Sequence, residues 1–216
     1  LEKRGLTILF QGDSITDANR NKAEESYPYL GHGYANLIAG RLGYRFPEAN
    51  CRFINRGVGG NRVSDLYARW NEDAISLKPD IISILVGVND AWRIMSGQPS
   101  GASDRFERVY RHLLDETREI MPDSKLVLCE PFMLQTGLMA DKWEEGRKLL
   151  DYYGGVVREL ANSYSTVFVP LQAPFDNAAT MADASYWLHD GVHPTAAGHE
   201  LIATEWLGAV EFNRLL

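Results

Sequence analysis

Four short segments carry side chains that together can perform acyl transfer: GDS at 12–14, GVGGN at 57–61, GVND at 87–90 and HDGVHP at 189–194. A serine hydroxyl such as Ser14 is a weak nucleophile until a general base takes its proton, and histidine titrates in the right range to do so. A carboxylate must then hold the imidazole in one tautomer and stabilise its charged form. Asp190 and His193 stand three apart in a stretch that Gly191 and Pro194 keep from being a regular helix. That spacing lets Asp190 fold back toward one ring nitrogen while the other faces Ser14. The tetrahedral oxyanion needs preorganised donors. Gly60 offers a backbone N–H at close approach because it lacks a Cβ. Asn89 offers a side-chain amide, and the Ser14 N–H belongs at a helix start.

Each block taken singly has a plainer reading. Gly, Asp and Ser are common turn residues, and Asn89 can simply cap the following segment. GVGGN is not a phosphate cradle, because G-x-G-x-x-G fails at Arg62 and no Lys-Ser/Thr pair follows. His189 and His193 have the spacing of two metal ligands on one helical face, but Gly191 and Pro194 argue against a helix there. Neither a metal nor another cofactor is expected. Asp13 is expected to bond nearby backbone rather than act as a base, and Asp17 to shape its turn. His32 and His199 read as structural, with His32 beside a rim loop, and His112 as solvated.

The elements that must bring the blocks together are legible in the apolar pattern. Runs at 6–11, 51–58, 80–88, 125–132 and 166–171 are apolar along their length, as parallel strands covered on both faces are. Segments of helical period lie at 33–42, 62–77, 105–120 and 142–164, and another closes the chain from 195. Strand alternating with helix predicts a three-layer α/β/α sandwich around a parallel sheet. No repeat or linker divides residues 1–216, which read as one domain. In such sheets ligands bind beyond the carboxyl ends of the strands, where all four blocks would lie.

Bulk composition narrows the partners. With 45% hydrophobic and 24% charged residues over 216 positions, the chain suits a soluble globular protein. A net charge of −7 disfavours nucleic acid and anionic membranes and favours a neutral ligand. Cys51 and Cys129 sit in apolar runs without CxxC spacing and read as free thiols. No signal-like or membrane-length apolar segment is present, which predicts a cytoplasmic protein, although a start on Leu leaves a removed leader open. Arg and aromatic residues spread over the helices are compatible with a homo-oligomer.

Taken in order, GDS, Gly60, GVND and DGVHP resemble the four blocks of the SGNH (GDSL-type) hydrolases, from residue 8 to about 200. The resemblance implies Ser14 as nucleophile, His193 as base, Asp190 as its orienting acid, and Ser14, Gly60 and Asn89 as oxyanion donors. It also implies a flavodoxin-like five-stranded sheet in the order 2-1-3-4-5. Many members carry Ser where this chain has Gly59, a change expected to add local flexibility without loss of activity. INRGVGGNRVSDLYARWNED followed by GVNDAWR resembles the intracellular acetylxylan-esterase branch.

The expected activity is therefore a serine esterase removing O-acetyl groups from xylo-oligosaccharides or similar small acetylated carbohydrates. A lysophospholipase, thioesterase or general short-chain carboxylesterase is the alternative on the same site, and a non-catalytic carbohydrate-binding protein the alternative of another class. Aromatic-rich spots at YPYLGHGY (27–34), Trp92-Arg93 and Tyr186-Trp187 suit sugar rings. They nominate Tyr34, Trp92, Arg93 and Trp187 as substrate contacts, against the reading in which the tryptophans pack beneath their loops.

Overall fold

The five apolar runs pair into one parallel sheet. In the computed structural model, which describes residues 5–22, 30–97 and 104–212, the strands are β1 (Thr7–Gly12), β2 (Arg52–Asn55), β3 (Ile81–Leu85), β4 (Lys125–Cys129) and β5 (Val167–Val169). Their order is β2-β1-β3-β4-β5, as the resemblance implied. The helices are α1 (Ser14–Asp17), α2 (Tyr34–Arg45), α3 (Val63–Ala68), α4 (Trp70–Asp73) and α5 (Val88–Met95). Beyond these come α6 (Asp104–Ile120), α7 (Trp143–Ser163), α8 (Gln172–Ala179), α9 (Ala184–Trp187) and α10 (Ala196–Phe212).

Every residue of β1 and β3 is buried, so neither strand has a wet face to alternate with. Right-handed crossovers in this strand order put α2 on one face and α3, α6 and α7 on the other. On the first face Phe10 of β1 packs against Tyr34 of α2 and Trp206 of α10, each at a ring separation of 5.8 Å. The Trp206 indole N–H donates to Ser83 Oγ at 2.9 Å. On the second face the Trp70 indole N–H donates to Thr117 Oγ1 at 2.9 Å. Both indoles therefore bury their full area without an orphaned donor.

Several elements differ from the sequence reading. The 62–77 segment is not one helix: it bends at Arg69, so that Trp70 turns into the core, 1% exposed, while the Arg69 side chain turns toward the end of β1. The third strand stops at Leu85, and the chain reverses at Gly87 to begin α5, a helix that the apolar run had concealed. Helices α8 and α9 also went unread, being short and of weak period. Residues 213–216 of the expected final helix, and Tyr27 and Tyr29 of the first aromatic spot, lie outside the described residues.

Candidate active site

The parallel register brings the four blocks to one edge of the sheet. β1 delivers Ser14 as the first residue of α1, with Asp13 as the cap: Asp13 Oδ1 accepts the Ile15 N–H at 3.0 Å. Ser14 Oγ lies 2.8 Å from His193 Nε2, and His193 Nδ1 lies 2.6 Å from Asp190 Oδ2. Asp190 Oδ1 also accepts the backbone N–H of Val192 at 3.0 Å and of His193 at 2.8 Å, which closes the turn that carries the imidazole. Ser14, His193 and Asp190, 179 residues apart at the extremes, form the continuous chain of proton-transfer partners that a serine nucleophile requires.

A loop the sequence reading passed over supports this turn. The N–H groups of Leu134 and Leu138 donate to the carbonyls of Gly191 and Asp190, both at 3.0 Å. Gly191 has φ +92°, and a Cβ there would stand 2.5 Å from the Thr136 carbonyl. The glycine of DGVHP is thus required by backbone conformation and by the 134–139 loop lying on it. The signal available beforehand was Gly137 in TGLM, itself at φ +51°.

Of the expected oxyanion donors, Asn89 lines a cavity together with Ser14. The Ser14 N–H opens α1, and Asn89 sits in the first turn of α5, where Nδ2 donates to Asn61 O at 3.2 Å and to Asp13 Oδ2 at 3.3 Å. Asn89 caps no helix; that position belongs to Gly87. Gly60 lies in the β2–α3 loop at φ +78°, and a Cβ there would meet nothing within 4 Å. Glycine at 60 suits its left-handed backbone, and the space beside it is clear of protein atoms, as a close approach by substrate requires. Gly59 is the glycine facing the serine: a Cβ there would stand 3.8 Å from the Ser14 Cβ.

Among the described residues, two lobes flank the serine. One, of about 210 Å³, is apolar and is lined by Val88, Trp92, Leu138, Met139 and Val192 together with the catalytic-type groups. The other, of about 510 Å³, has a mixed lining in which Asp17, Asn19, His32, His189 and His199 lie beside Ile15, Ala18 and Pro194. Trp92 thus keeps its expected place at the site, its ring 5.1 Å from the Lys142 ammonium. Tyr34 does not: it is 0% exposed, packed on Phe10, with its hydroxyl 2.9 Å from Thr16 Oγ1. Trp187 packs against the core and on Tyr186, outside both linings, so the packing alternative holds for it. Arg93 also lies outside both linings, where its charge acts on Asp65.

The electrostatics follow the geometry. Burial pushes the Asp190 carboxyl up, but its bonds to the His193 backbone and ring and the Val192 N–H outweigh that and hold it below the ordinary carboxylate value. Asp13 is 1% exposed, and burial raises it to about 6 against the opposing effect of the Ile15 N–H. Its bonds are to Ile15 and Asn89, as expected of a positioning rather than basic carboxylate. His199 is lowered to about 4 by burial and by the charges of His32 and His193. Its Nδ1 accepts the Tyr34 N–H at 3.2 Å, a bond only the neutral ring makes. Asp17 shapes its turn by accepting the Arg20 N–H at 3.2 Å. Cys51 and Cys129 are free, and burial pushes the Cys129 thiol up to about 12. The ligand-type atoms of His189, Asp190 and His193 come within 4.8 Å of one another without a helix, but both His193 nitrogens already face Asp190 and Ser14.

Asp90 gives a stability prediction. Burial raises its carboxyl to about 7, although its Oδ2 accepts the Val63 N–H at 3.2 Å. The unfolded chain releases that proton near pH 4, so between these values the folded chain binds more protons and stability falls as pH rises. Asp90→Asn keeps the acceptor and removes the charge. Its melting temperature at pH 8 should exceed that of the wild type by about 2–4 °C, with the gap closing as pH falls toward 4. An unchanged or lower value at pH 8 would show that the ionised form is held by its contacts.

The family that this fold and site define is also the one the whole chain matches. The model of the GDSL-like lipase/acylhydrolase family matches residues 10–201; the chain belongs to that family and is a carboxylic ester hydrolase. It is 35% identical over 215 residues to an acetylxylan esterase of Geobacillus stearothermophilus, covering 97% of this chain and 95% of that one. A solved structure of an acetylxylan esterase from that organism superposes with a TM-score of 0.84 at 34% identity, over 97% of this chain and 95% of that one. A GDSL-like lipase structure from Parabacteroides merdae superposes with a TM-score of 0.92 at 37% identity, covering 97% of both. Among the described residues no helix is long and apolar enough to cross a membrane.

Proposed function

We propose that the protein removes O-acetyl groups from short acetylated sugars, with acetylated xylo-oligosaccharides as the leading substrates. The observation that carries the reading is the Asp190–His193–Ser14 chain, at 2.6 and 2.8 Å, set between an apolar lobe and a larger one whose lining supplies hydrogen-bonding side chains. An acetyl ester of a sugar has the same division. Its methyl loses nothing in the apolar lobe, whereas sugar hydroxyls there would go unpaired. The larger lobe offers hydroxyls the rings of His32 and His189 and the Asn19 amide. The 35% identity to an acetylxylan esterase supports the same substrate.

In the proposed reaction His193 Nε2 takes the Ser14 proton as Oγ attacks the ester carbon. The Ser14 and Gly60 N–H groups and the Asn89 amide receive the oxyanion. His193 then protonates the sugar oxygen as its bond to the acetyl carbon breaks, freeing the sugar hydroxyl, and water repeats the cycle on the acetyl-serine. Asp190 keeps the imidazole oriented and favours its charged form throughout.

A second reading, a general short-chain carboxylesterase, is favoured by the apolar lobe. Its 210 Å³ is about seven times the ~30 Å³ share of one water-sized group. Proton NMR of acetylated xylobiose and of 4-nitrophenyl acetate, propionate and butyrate tests both. Acetate release from xylobiose, faster than from the aryl ester, is the expected result. Hydrolysis of all three aryl esters with no release from the sugar would favour the second reading.

A further inference from the structure

The ARWNED segment at 68–73 has no part in the reaction as described, yet its arginine reaches the site from behind. Arg69 Nε donates to Asn61 Oδ1 at 2.8 Å and Nη2 to the Gly12 carbonyl at 3.3 Å. Nη1 is anchored on Asp73 Oδ2 at 2.8 Å. Gly12 leads covalently into Asp13, whose Oδ2 accepts from Asn89 Nδ2 at 3.3 Å. The same nitrogen donates to the Asn61 carbonyl at 3.2 Å, which returns the path to Arg69. The result is a closed ring, Arg69–Gly12–Asp13–Asn89–Asn61, that ties the end of β1, the Gly60 loop and the start of α5.

We infer that this ring presets the oxyanion hole and that Arg69 is its positioning residue, acting on the reaction only through the donors. Each expected donor is in the ring or one peptide away from it: Asn89 is a member, Ser14 follows Asp13, and Gly60 precedes Asn61. The three loops come from distant parts of the chain; the Val58 N–H donates to the Gly12 carbonyl at 3.1 Å, and the ring adds the side-chain links that bring in the start of α5. A planar guanidinium with donors in a fixed fork can hold two loops and its own anchor at once; an ammonium cannot. The ring is largely closed to water at this corner, the Arg69 side chain being 18% exposed. Both Asn89 Nδ2 bonds are long and together use its two hydrogens, so one of them yields to a developing oxyanion while the other keeps the amide in direction.

The test is a double-mutant cycle on 4-nitrophenyl acetate, and it rests on the oxyanion reading of Asn89. Asn89→Ala alone should lower kcat by about 10²–10³-fold; full retention would remove Asn89 from the hole and the reading with it. Arg69→Met should lower kcat by about 10–30-fold with KM within about twofold, since a small misplacement of donors acts on the transition state. In the Asn89→Ala background the same change should cost no more than about threefold, because the amide it orients is gone. An equal loss in both backgrounds, or a rise in KM with kcat unchanged, would overturn the assignment. Asn61→Ala breaks the ring while leaving the Arg69–Asp73 pair intact, so it keeps the test decisive if Arg69→Met does not fold. It should show the same dependence on Asn89, and additivity there would equally overturn the proposal.

Discussion

Ser14→Ala is expected to lower kcat for 4-nitrophenyl acetate by about five to six orders of magnitude while KM changes little. The Oγ atom is the only part of the side chain that faces His193, at 2.8 Å, and no other hydroxyl or thiol is placed there among the residues lining the two lobes. Removing it leaves the oxyanion donors and both lobes in place, so substrate still binds and a small residual rate persists from that binding alone. The fold should not notice, because Ser14 is only part-buried and its backbone, not its side chain, is held by the Asp13 cap. Stopped assays with purified protein, alongside a melting curve, measure this. Turnover above about one hundredth of wild type would show that another group attacks the ester.

Asp190→Asn should lower kcat by about 10³–10⁴-fold with the loop intact. The amide oxygen can still accept the Val192 and His193 N–H groups that Oδ1 holds at 3.0 and 2.8 Å. The other position changes sign: where Oδ2 accepts from His193 Nδ1 at 2.6 Å, an NH₂ donates instead. The ring must then carry its proton on Nε2 and point it at Ser14, which is the tautomer that cannot act as base. Nitrogen NMR of His193 reads the tautomer directly, and kcat reads its consequence. A fall of less than about tenfold would mean that the Leu134–Met139 loop, rather than the carboxylate, orients the imidazole. Because the Asp190 carboxyl is held below its ordinary value, acid should leave it ionised over the range in which activity is measured.

Ser14, Gly60 and Asn89 were readable in advance because each closely follows a strand end. In a parallel sheet all carboxyl ends lie on one edge, so reading the strands correctly brings Ser14, Gly60 and Asn89 together without any knowledge of packing. The Asp190–His193 spacing worked for a different reason, since a turn of that length is a local matter and Oδ1 closes it with local backbone bonds. The substrate contacts were a different kind of question. Tyr34 and Trp92 are both aromatic residues next to a motif, yet one points into the sheet and the other into a lobe. Tyr34 begins α2 on the face that Phe10 and Trp206 fill, whereas Trp92 lies on a short helix at the rim. No local pattern separates those cases, because the direction of a side chain depends on what packs opposite it.

By itself, then, the order of blocks and apolar runs determined the layering, the strand order through its family resemblance, and the identity of the groups at the crevice. Local chemistry is sufficient for these: strand periodicity, a turn that returns a carboxylate to an imidazole, and a serine at the start of a helix. Tertiary structure alone decided that Gly60 takes a left-handed backbone angle, that the 134–139 loop moulds the Asp190 turn, and that Arg69 joins Gly12 to Asn61. Each of those depends on atoms brought into contact by segments far apart in the chain, and only the closed fold sets such distances.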